Sequence, residues 1–536
     1  MLLAATLRLW QLGSVPPNTS NDEASIGYNA YSVSKIGVDE YGKFPLISQR
    51  AYDDWRRSTY LLLVVPFVST LGLYNIPIRL PAVLLGLFTI LATYYLVRAL
   101  FRKRSLISEI TALLAALFLA ISPWHVYISR LGHESNAYMS FFVFGLLFFL
   151  WGVRDAKNMF LSFLFFTLSM ISYYAGQVIV PLIALGLLFV YWKDLTRLVI
   201  SDKRVLFGFL AFVVLLVPIL WSIFSPEALI RFHGTSTFDP SAHPAEYAQL
   251  VLRRNQSAAA HDVIGMILYN RRIFPIRVFV EGYLSHFSPG WLFTNSGKES
   301  FKIPNMGLIN IWEIPLILIG MLAFLFHKDV DTKSKKLIVL WFFLAAVPAA
   351  IATQAPHAMR AYAFLPTWEI FSAFGLAYIF SHAKKIQIAI LVLFLAVAVY
   401  DTRALYTNYF VVFPREQSES FYYAMSKAVP YVLSKSAGYE SVVFSNKDSL
   451  YQSYMGFLYY SRYDPSLYQT EGGTKSGGFA ETHRFGKYEF RPIHWETEKN
   501  VEKTLYVGNV ADFPAGSQFM TFTSLDGKPT ILAVSK

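Results

Sequence analysis

The chain has no cysteine and little charge. Of its 536 residues, only 15% are Asp, Glu, Lys or Arg, where a soluble domain carries about 25%. Without cysteine there are no disulfides, thiolate metal sites or cysteine nucleophiles, so every segment must be stable without covalent cross-links. The shortage of charge excludes an ordinary soluble enzyme. Although 47 Lys and Arg outnumber 35 Asp and Glu for a net charge of +12, the cations are scattered through short loops. They form no basic face, and nucleic acid is not an expected partner. The sequence shows neither internal repeat nor low-complexity tract. Apolar and aromatic residues are abundant instead, at 54% and 17%.

A bilayer core takes about 20 mainly apolar residues per helix. Ten such runs stand out, near 79–101, 106–128, 137–153, 158–175, 177–192, 205–224, 306–327, 337–353, 359–380 and 385–400. Lipid offers the backbone no hydrogen-bond partner, so each is expected to be helical. Lys and Arg in short loops mark the cytoplasmic side. The clusters Arg102-Lys103-Arg104, Arg154 with Lys157, Lys193 through Arg204, Lys328 through Lys336, and Lys384-Lys385 share one face if the spans alternate. That face is read as cytoplasmic. The same alternation puts 13–78, 129–136, 173–177, 225–305, 354–360 and everything after 400 outside the membrane on the other face.

Residues 1–12 are apolar apart from Arg8 but would rise only about 18 Å as a helix. They are read as the stub of a first span, or as a chain whose start lies upstream, in preference to a signal peptide. The total is then about 11 transmembrane helices. Residues 58–74 are also apolar, but a crossing there would upset the agreement of the basic loops. They are expected to form a helix in the outer interface, kinked at Pro66, with Tyr60 and Tyr74 at headgroup level. The polar tail, 401–536, is expected to be a small extracytoplasmic α+β domain. It has a helix near 416–434, a strand at 440–445, loops at 471–478 and strand-like segments near 504–508 and 517–535. Residues 1–400 would be the membrane domain, with a first outer loop at 13–78 and a large outer loop at 225–305.

Ionisable residues gather in the outer loops, where they are a functional signal. Asp22-Glu23 follows Pro16-Pro17 and opens a short helix; it reads as a carboxylate able to take a hydroxyl proton or as a helix cap. Arg56, Arg57, Arg79, His357 and Arg360 lie at the outer boundary on three segments. Converging guanidinium groups suit a phosphate, while snorkelling or pairing with Asp53 and Asp54 is the plainer alternative. His133-Glu134 reads as a second catalytic carboxylate, a metal ligand with Asp22, or a cap. Tyr52, Trp55, Tyr173, Tyr174 and Trp291 are aromatics that suit a sugar ring or an interfacial belt.

In order along the chain come the acidic pair, Asp39-Glu40-Tyr41-Gly42-Lys43-Phe44-Pro45-Leu46, an interfacial helix bearing Arg56 and Arg57, and Arg79-Leu80-Pro81 opening a span. Then follow Ser129-Arg130-Leu131-Gly132-His133-Glu134-Ser135-Asn136, Ser172-Tyr173-Tyr174-Ala175-Gly176-Gln177 and Pro356-His357-Ala358-Met359-Arg360. This order resembles the polyprenyl-phosphate-sugar-dependent glycosyltransferases of family 39, which include protein O-mannosyltransferases and the lipid A aminoarabinose transferase. The resemblance spans about residues 5–400 and implies the multi-span GT-C fold. It also implies an inverting enzyme that moves a sugar from a polyprenyl-phosphate donor to an acceptor hydroxyl at the outer face of the cell membrane.

On that resemblance Asp22 is the general base, with Glu23 beside it and Glu134 a second carboxylate. Arg56 or Arg57 holds the lipid phosphate in place of the family's usual Lys or His in the interfacial helix. Arg79 supports the first loop or the phosphate, and His133, Tyr173, Tyr174, Gln177, His357 and Arg360 line the donor pocket. No cofactor is expected beyond the lipid-linked sugar, and a divalent metal is disfavoured. The expected partners are membrane lipid, the donor, and an acceptor protein, lipid or glycan. The Trp-Trp-Asp signature of the oligosaccharyltransferases, which share the fold class, is absent. A transporter or a non-catalytic scaffold is the competing class. A transporter predicts mid-span charges, broken helix pairs and a two-fold repeat, none of which the sequence contains.

Overall fold

The computed structural model describes residues 1–52, 54–223, 234–294, 301–382, 384–475, 482–499, 501–514 and 520–535. Asp53 and parts of the segments 225–305, 471–478 and 517–535 therefore lie outside the described residues. Two compact units form. The larger contains Met1–Leu7, Leu85–Ile128 and Ser135–Arg403; the other contains Arg8–Leu84, Ser129–Glu134 and Ala404–Lys536.

The larger unit is helical. Every one of the ten apolar runs contains helix, and among the described residues five helices are long and apolar enough to cross a membrane. They are Asn75–Leu100, Glu134–Gly152, Tyr174–Ser201, Tyr362–His382 and Gln387–Glu416. Leu106–Ile121, Lys157–Ser172 and Glu313–Phe326 are apolar but shorter. The 106–128 run breaks at Ser122, where Pro123 opens a separate short helix, Pro123–Ile128. The 337–353 run ends at Leu344 before the short helix Val347–Ala350. Glu313–Phe326 and Thr367–His382 approach so closely that a Cβ on Gly320 would lie 1.8 Å from the Phe371 carbonyl oxygen, and one on Gly375 2.0 Å from that of Leu316. Only glycine permits this backbone contact, a recurrent device of helix packing in lipid.

Four of the basic loops meet. Arg102 pairs with Asp331 at 3.3 Å, Lys333 pairs with Asp194, and Arg154 donates to the Ala99 carbonyl at 3.1 Å. These four loops thus lie together in this unit.

The other unit joins residues 8–84 to the tail. The helix Asn21–Ile36 starts in a capping box between Ser20 and Glu23 and ends at Gly37, whose φ of 78° is left-handed. A hairpin follows, β1 (Ser48–Ala51) antiparallel to β2 (Asp54–Arg57), then the helix Thr59–Leu71 with Pro66 inside it. Arg56 and Arg57 therefore sit on a strand just before the helix, not on the helix itself. Tyr60 is fully buried and donates to the Ile78 carbonyl at 2.7 Å, so it is not a headgroup anchor; Tyr74 is 38% exposed.

The tail is entered as helix, because Gln387–Leu405 runs on through a π-helical stretch, Tyr406–Val412, to Phe413–Glu416. It then forms the helix Tyr423–Lys435 and strands β3 (Ser441–Phe444), β4 (His483–Phe485), β5 (Tyr488–Phe490), β6 (Thr504–Asn509), β7 (Met520–Thr523) and β8 (Pro529–Ser535). These make one mixed sheet in the order β4-β5-β3-β6-β8-β7, with β3 parallel to β5 and β6 and the other pairings antiparallel. A sequence boundary at 400 separates the tail from all that precedes it. The contacts instead put the tail in the same compact unit as residues 8–84. The helix Ser453–Ser461 packs on Asn21–Ile36, with Tyr459 donating to Asn75 at 3.1 Å and Tyr460 and Thr19 sharing a hydrogen bond of 2.5 Å.

Candidate active site

The acidic pair divides its labour. Glu23 is buried: its Oε1 accepts from Arg79 Nε at 2.7 Å and from the Gly132 N–H at 2.9 Å, and its Oε2 from Arg79 Nη2 and the Ser20 N–H, both at 3.0 Å. Arg79 is equally buried and donates also to the carbonyls of Leu12 (2.9 Å), Pro16 (3.1 Å) and Asn18. All five of its N–H groups are used, and the pair ties residues 12–23 together from a buried position. Gly132 makes this possible, since a Cβ there would lie 2.5 Å from Ile78 Cγ2 and 3.2 Å from the Ile78 carbonyl oxygen.

Asp22, one residue earlier, faces the other way. It keeps 32% of its side chain exposed while Oδ1 accepts from Arg56 Nη2 at 2.5 Å and Oδ2 lies 3.6 Å from His133 Nε2. His133 Nδ1 is 3.7 Å from Glu134 Oε2, so the four side chains form one cluster. Burial works against the charge of Arg56, yet Asp22 and Glu134 hold its pKa above the ordinary arginine value. It stays cationic at any physiological pH. Adjacent residues on a strand point to opposite sides; Arg56 reaches Asp22, and Arg57 is buried. Trp55 is half-buried on the same strand. Tyr52, with φ of 59°, donates to the Asn21 carbonyl at 2.9 Å and lies beneath the Arg56 guanidinium, 6.0 Å from ring centroid to Cζ.

Two residues of this unit carry weight that spacing did not assign them. Arg130 is buried, donates to the carbonyls of Trp10 (2.8 Å) and Val15 (2.7 Å), and stands over Phe410 at 4.9 Å. Glu40 is buried and accepts from Asn29 Nδ2 (3.0 Å), the Tyr454 hydroxyl (3.1 Å) and the Thr474 hydroxyl (2.8 Å). Burial, outweighing these donors, pushes its pKa up to about 7. Both residues lie inside the motifs quoted above. Apart from Asn29, the partners named are more than a hundred residues away, and only the fold reveals them.

The larger unit holds the remaining candidates. Tyr173 is buried and stacks on Tyr138 at 5.3 Å, and the Tyr138 hydroxyl binds the backbone of 359–363. Tyr174 and Gln177 are half-buried on the first turns of the next helix. Arg360 turns back to donate to the Thr353 carbonyl. His286, held neutral by burial with a pKa pushed down to about 4, donates from Nδ1 to the Gly282 carbonyl and accepts the His357 N–H at Nε2, 3.1 Å away. Trp291 is buried edge-on against Trp124 and His286, and its carbonyl accepts from the buried Lys302 at 2.5 Å. Among the described residues, no group of three or more His, Asp or Glu is arranged to hold a metal ion.

Comparison with known proteins agrees with this architecture. The profile of the dolichyl-phosphate-mannose-protein mannosyltransferases matches residues 63–221, a stretch that includes Arg79, His133, Glu134, Tyr173, Tyr174 and Gln177. No curated protein matches the sequence significantly. Among solved structures, the chain is similar to ArnT from Cupriavidus metallidurans. For the apo state the TM-score is 0.53 at 11% identity, and for ArnT bound to undecaprenyl phosphate it is 0.55 at 12%; in both, 99% of this chain and 96% of ArnT are covered. The oligosaccharyltransferase AglB from Archaeoglobus fulgidus, in complex with an inhibitory peptide and a dolichol-phosphate, gives a TM-score of 0.51 at 14% identity, over 86% of this chain and 62% of AglB. The chain has the GT-C glycosyltransferase fold, with apolar helices and a C-terminal sheet region. Its helical part from 63 to 221 is mannosyltransferase-like.

Proposed function

We propose that the protein is an inverting glycosyltransferase that moves a sugar from a polyprenyl-phosphate donor to an acceptor hydroxyl on the extracytoplasmic side of a cell membrane, which it crosses about 11 times. The observation that carries this reading is the Asp22–Arg56 pair: a partly exposed carboxylate bound to one arm of a guanidinium whose second arm, Nη1, has no partner among the described residues. Asp22 takes the acceptor proton as its oxygen attacks the anomeric carbon from the face opposite the phosphate, which inverts the configuration. The phosphate leaves as an anion and needs a cation more than a general acid. Arg56 bridges the two, with Nη2 on the base and Nη1 toward the phosphate, and so sets their separation. Glu134 and His133 close the far side of Asp22. The relative solved with undecaprenyl phosphate supports a lipid-phosphate donor. The basic loops that lie together in the larger unit support the sidedness.

The test is transfer of label from a radiolabelled polyprenyl-phosphate hexose, or a pentose in a second series, into the membrane fraction. Asp22→Asn is expected to lower the rate by about 100-fold or more, in the range of lost general-base catalysis, without loss of inserted protein. A parallel tube with chelator tests metal dependence. Undiminished transfer by the variant would overturn the assignment of Asp22, and no transfer by correctly inserted wild type with any donor would overturn the reading.

A further inference from the structure

Tyr451 lies in the tail and belongs to no motif read from the sequence. Its hydroxyl accepts a hydrogen bond from Asn21 Nδ2 at 2.7 Å, across 430 positions of chain. Asn21 is the first residue of the helix Asn21–Ile36 and the neighbour of Asp22. It is held a second time, because its carbonyl accepts from the Tyr52 hydroxyl at 2.9 Å. The residue before it is fixed by the capping box, in which the Glu23 N–H donates to Ser20 Oγ at 3.2 Å and the Ser20 N–H to Glu23 Oε2 at 3.0 Å. Asp22 is thus carried on a turn whose two preceding residues are both anchored.

Tyr451 is itself held firmly. Leu450 before it is buried, and the Tyr451 N–H closes a turn on the Asp448 carbonyl at 3.2 Å. Asn509, at the end of β6, donates from Nδ2 to the Lys447 carbonyl and accepts from the Ser449 hydroxyl, both at 2.8 Å. On the other flank, the Ser453 hydroxyl donates at 2.7 Å to the carbonyl of Ser445, one residue past β3. β3 and β6 are neighbouring parallel strands inside the sheet. A line of contacts therefore runs from the middle of the sheet through Tyr451 and Asn21 to the residue that bears the carboxylate. Tyr451 is 39% exposed, so its oxygen can be removed with little loss of packing.

We propose that Tyr451 is a positioning residue for the Asp22 carboxylate: by holding Asn21, it lets the sheet of the tail set the direction in which the base points. The inference rests on the transferase reading above and gives the tail a task in that reaction. A side chain in the first turn of a helix moves with that turn. A displacement of about 1 Å at a reacting group can cost roughly 100-fold in rate, so an anchor on the preceding residue matters to the chemistry without touching a substrate.

The experiment is the transfer assay above on the full chain, with the radiolabelled donor that wild type uses and equal amounts of inserted protein. Tyr451→Phe is expected to lower kcat about tenfold, less than a full 1 Å displacement costs, with donor KM and thermal midpoint nearly unchanged. Asn21→Ala breaks the same bond from the other side, so the double variant is expected to be no slower than the slower single one. In the Asp22→Asn background, Tyr451→Phe is expected to leave the residual rate unchanged, because no base remains to be aimed. A fall in that residual rate marks a general loss of structure and overturns the inference. A Tyr451→Phe rate equal to wild type, losses that add in the double variant, or a raised donor KM at constant kcat overturns it as well. Each of these outcomes leaves the transferase reading standing, whereas a wild type that transfers label from no donor overturns both. If Tyr451→Phe does not insert, Asn21→Ala in the wild-type and Asp22→Asn backgrounds carries the test alone.

Discussion

Arg79 has five N–H groups, and each finds an acceptor within residues 12–23. A buried ion pair adds little stability over an apolar replacement, but removing one partner strands the other charge. Arg79→Met leaves Glu23 buried and three carbonyls without their donor, and is expected to cost about 3–5 kcal/mol, measured as a large fall in the thermal midpoint in detergent. Asp22→Asn is expected to lower that midpoint much less, since Asp22 is one-third exposed, the Asn oxygen can still accept from Arg56, and Glu134 still offsets the Arg56 charge. The contrast separates two adjacent carboxylates that look interchangeable in the sequence. Their difference is directional: Glu23 points back to the cap and to Arg79, and Asp22 out to Arg56.

At the scale of elements, the site depends on close approach. Gly132 lets the segment 129–134 deliver an N–H to Glu23 and put His133 beside Asp22. Gly132→Ala is expected to destabilise the unit by about 1–3 kcal/mol, the usual cost of overpacking. It is also expected to slow transfer by displacing His133; thermal denaturation together with the transfer assay reads both effects. The hairpin β1–β2 does its part by alternation, turning Arg56 to the carboxylate. The sequence offers two consecutive arginines as equals, and strand geometry distinguishes them.

At the scale of the whole molecule, the tail is bound to the segment that follows the helix Asn21–Ile36 through Glu40. Its carboxylate binds Asn29 on one side and Tyr454 and Thr474 on the other, and Gln469 donates to the carbonyls of Asp39 and Glu40 at 3.0 and 3.1 Å. Burial raises the pKa of Glu40 from 4.5 to about 7, so the folded protein binds a proton that the unfolded chain has released between these values. Stability from this group is complete below about pH 4.5 and is lost as pH rises through 7. The buried Asp39, also raised by desolvation, acts in the same direction. The unit is expected to be less stable at pH 8 than at pH 5, by roughly 3 kcal/mol from Glu40. Glu40→Gln is expected to flatten that dependence, as read by thermal unfolding across pH. A dependence as steep in the variant as in wild type would remove Glu40 from the account.

Much of this architecture is legible in the chain alone. Hydropathy and the positions of Lys and Arg mark ten helical runs and one basic end, because lipid imposes length and helicity on each span separately. The acidic pair, Arg79 and His133-Glu134 stand out for a similar reason, since ionisable groups beside a membrane are costly and few. What the linear order could not convey is which of these groups face one another. The pairing of Arg56 with Asp22, that of Arg79 with Glu23, and the placing of Arg130 and Glu40 are decided by contacts between residues tens to hundreds of positions apart. Such contacts depend on side-chain direction and close packing, which only the folded chain defines.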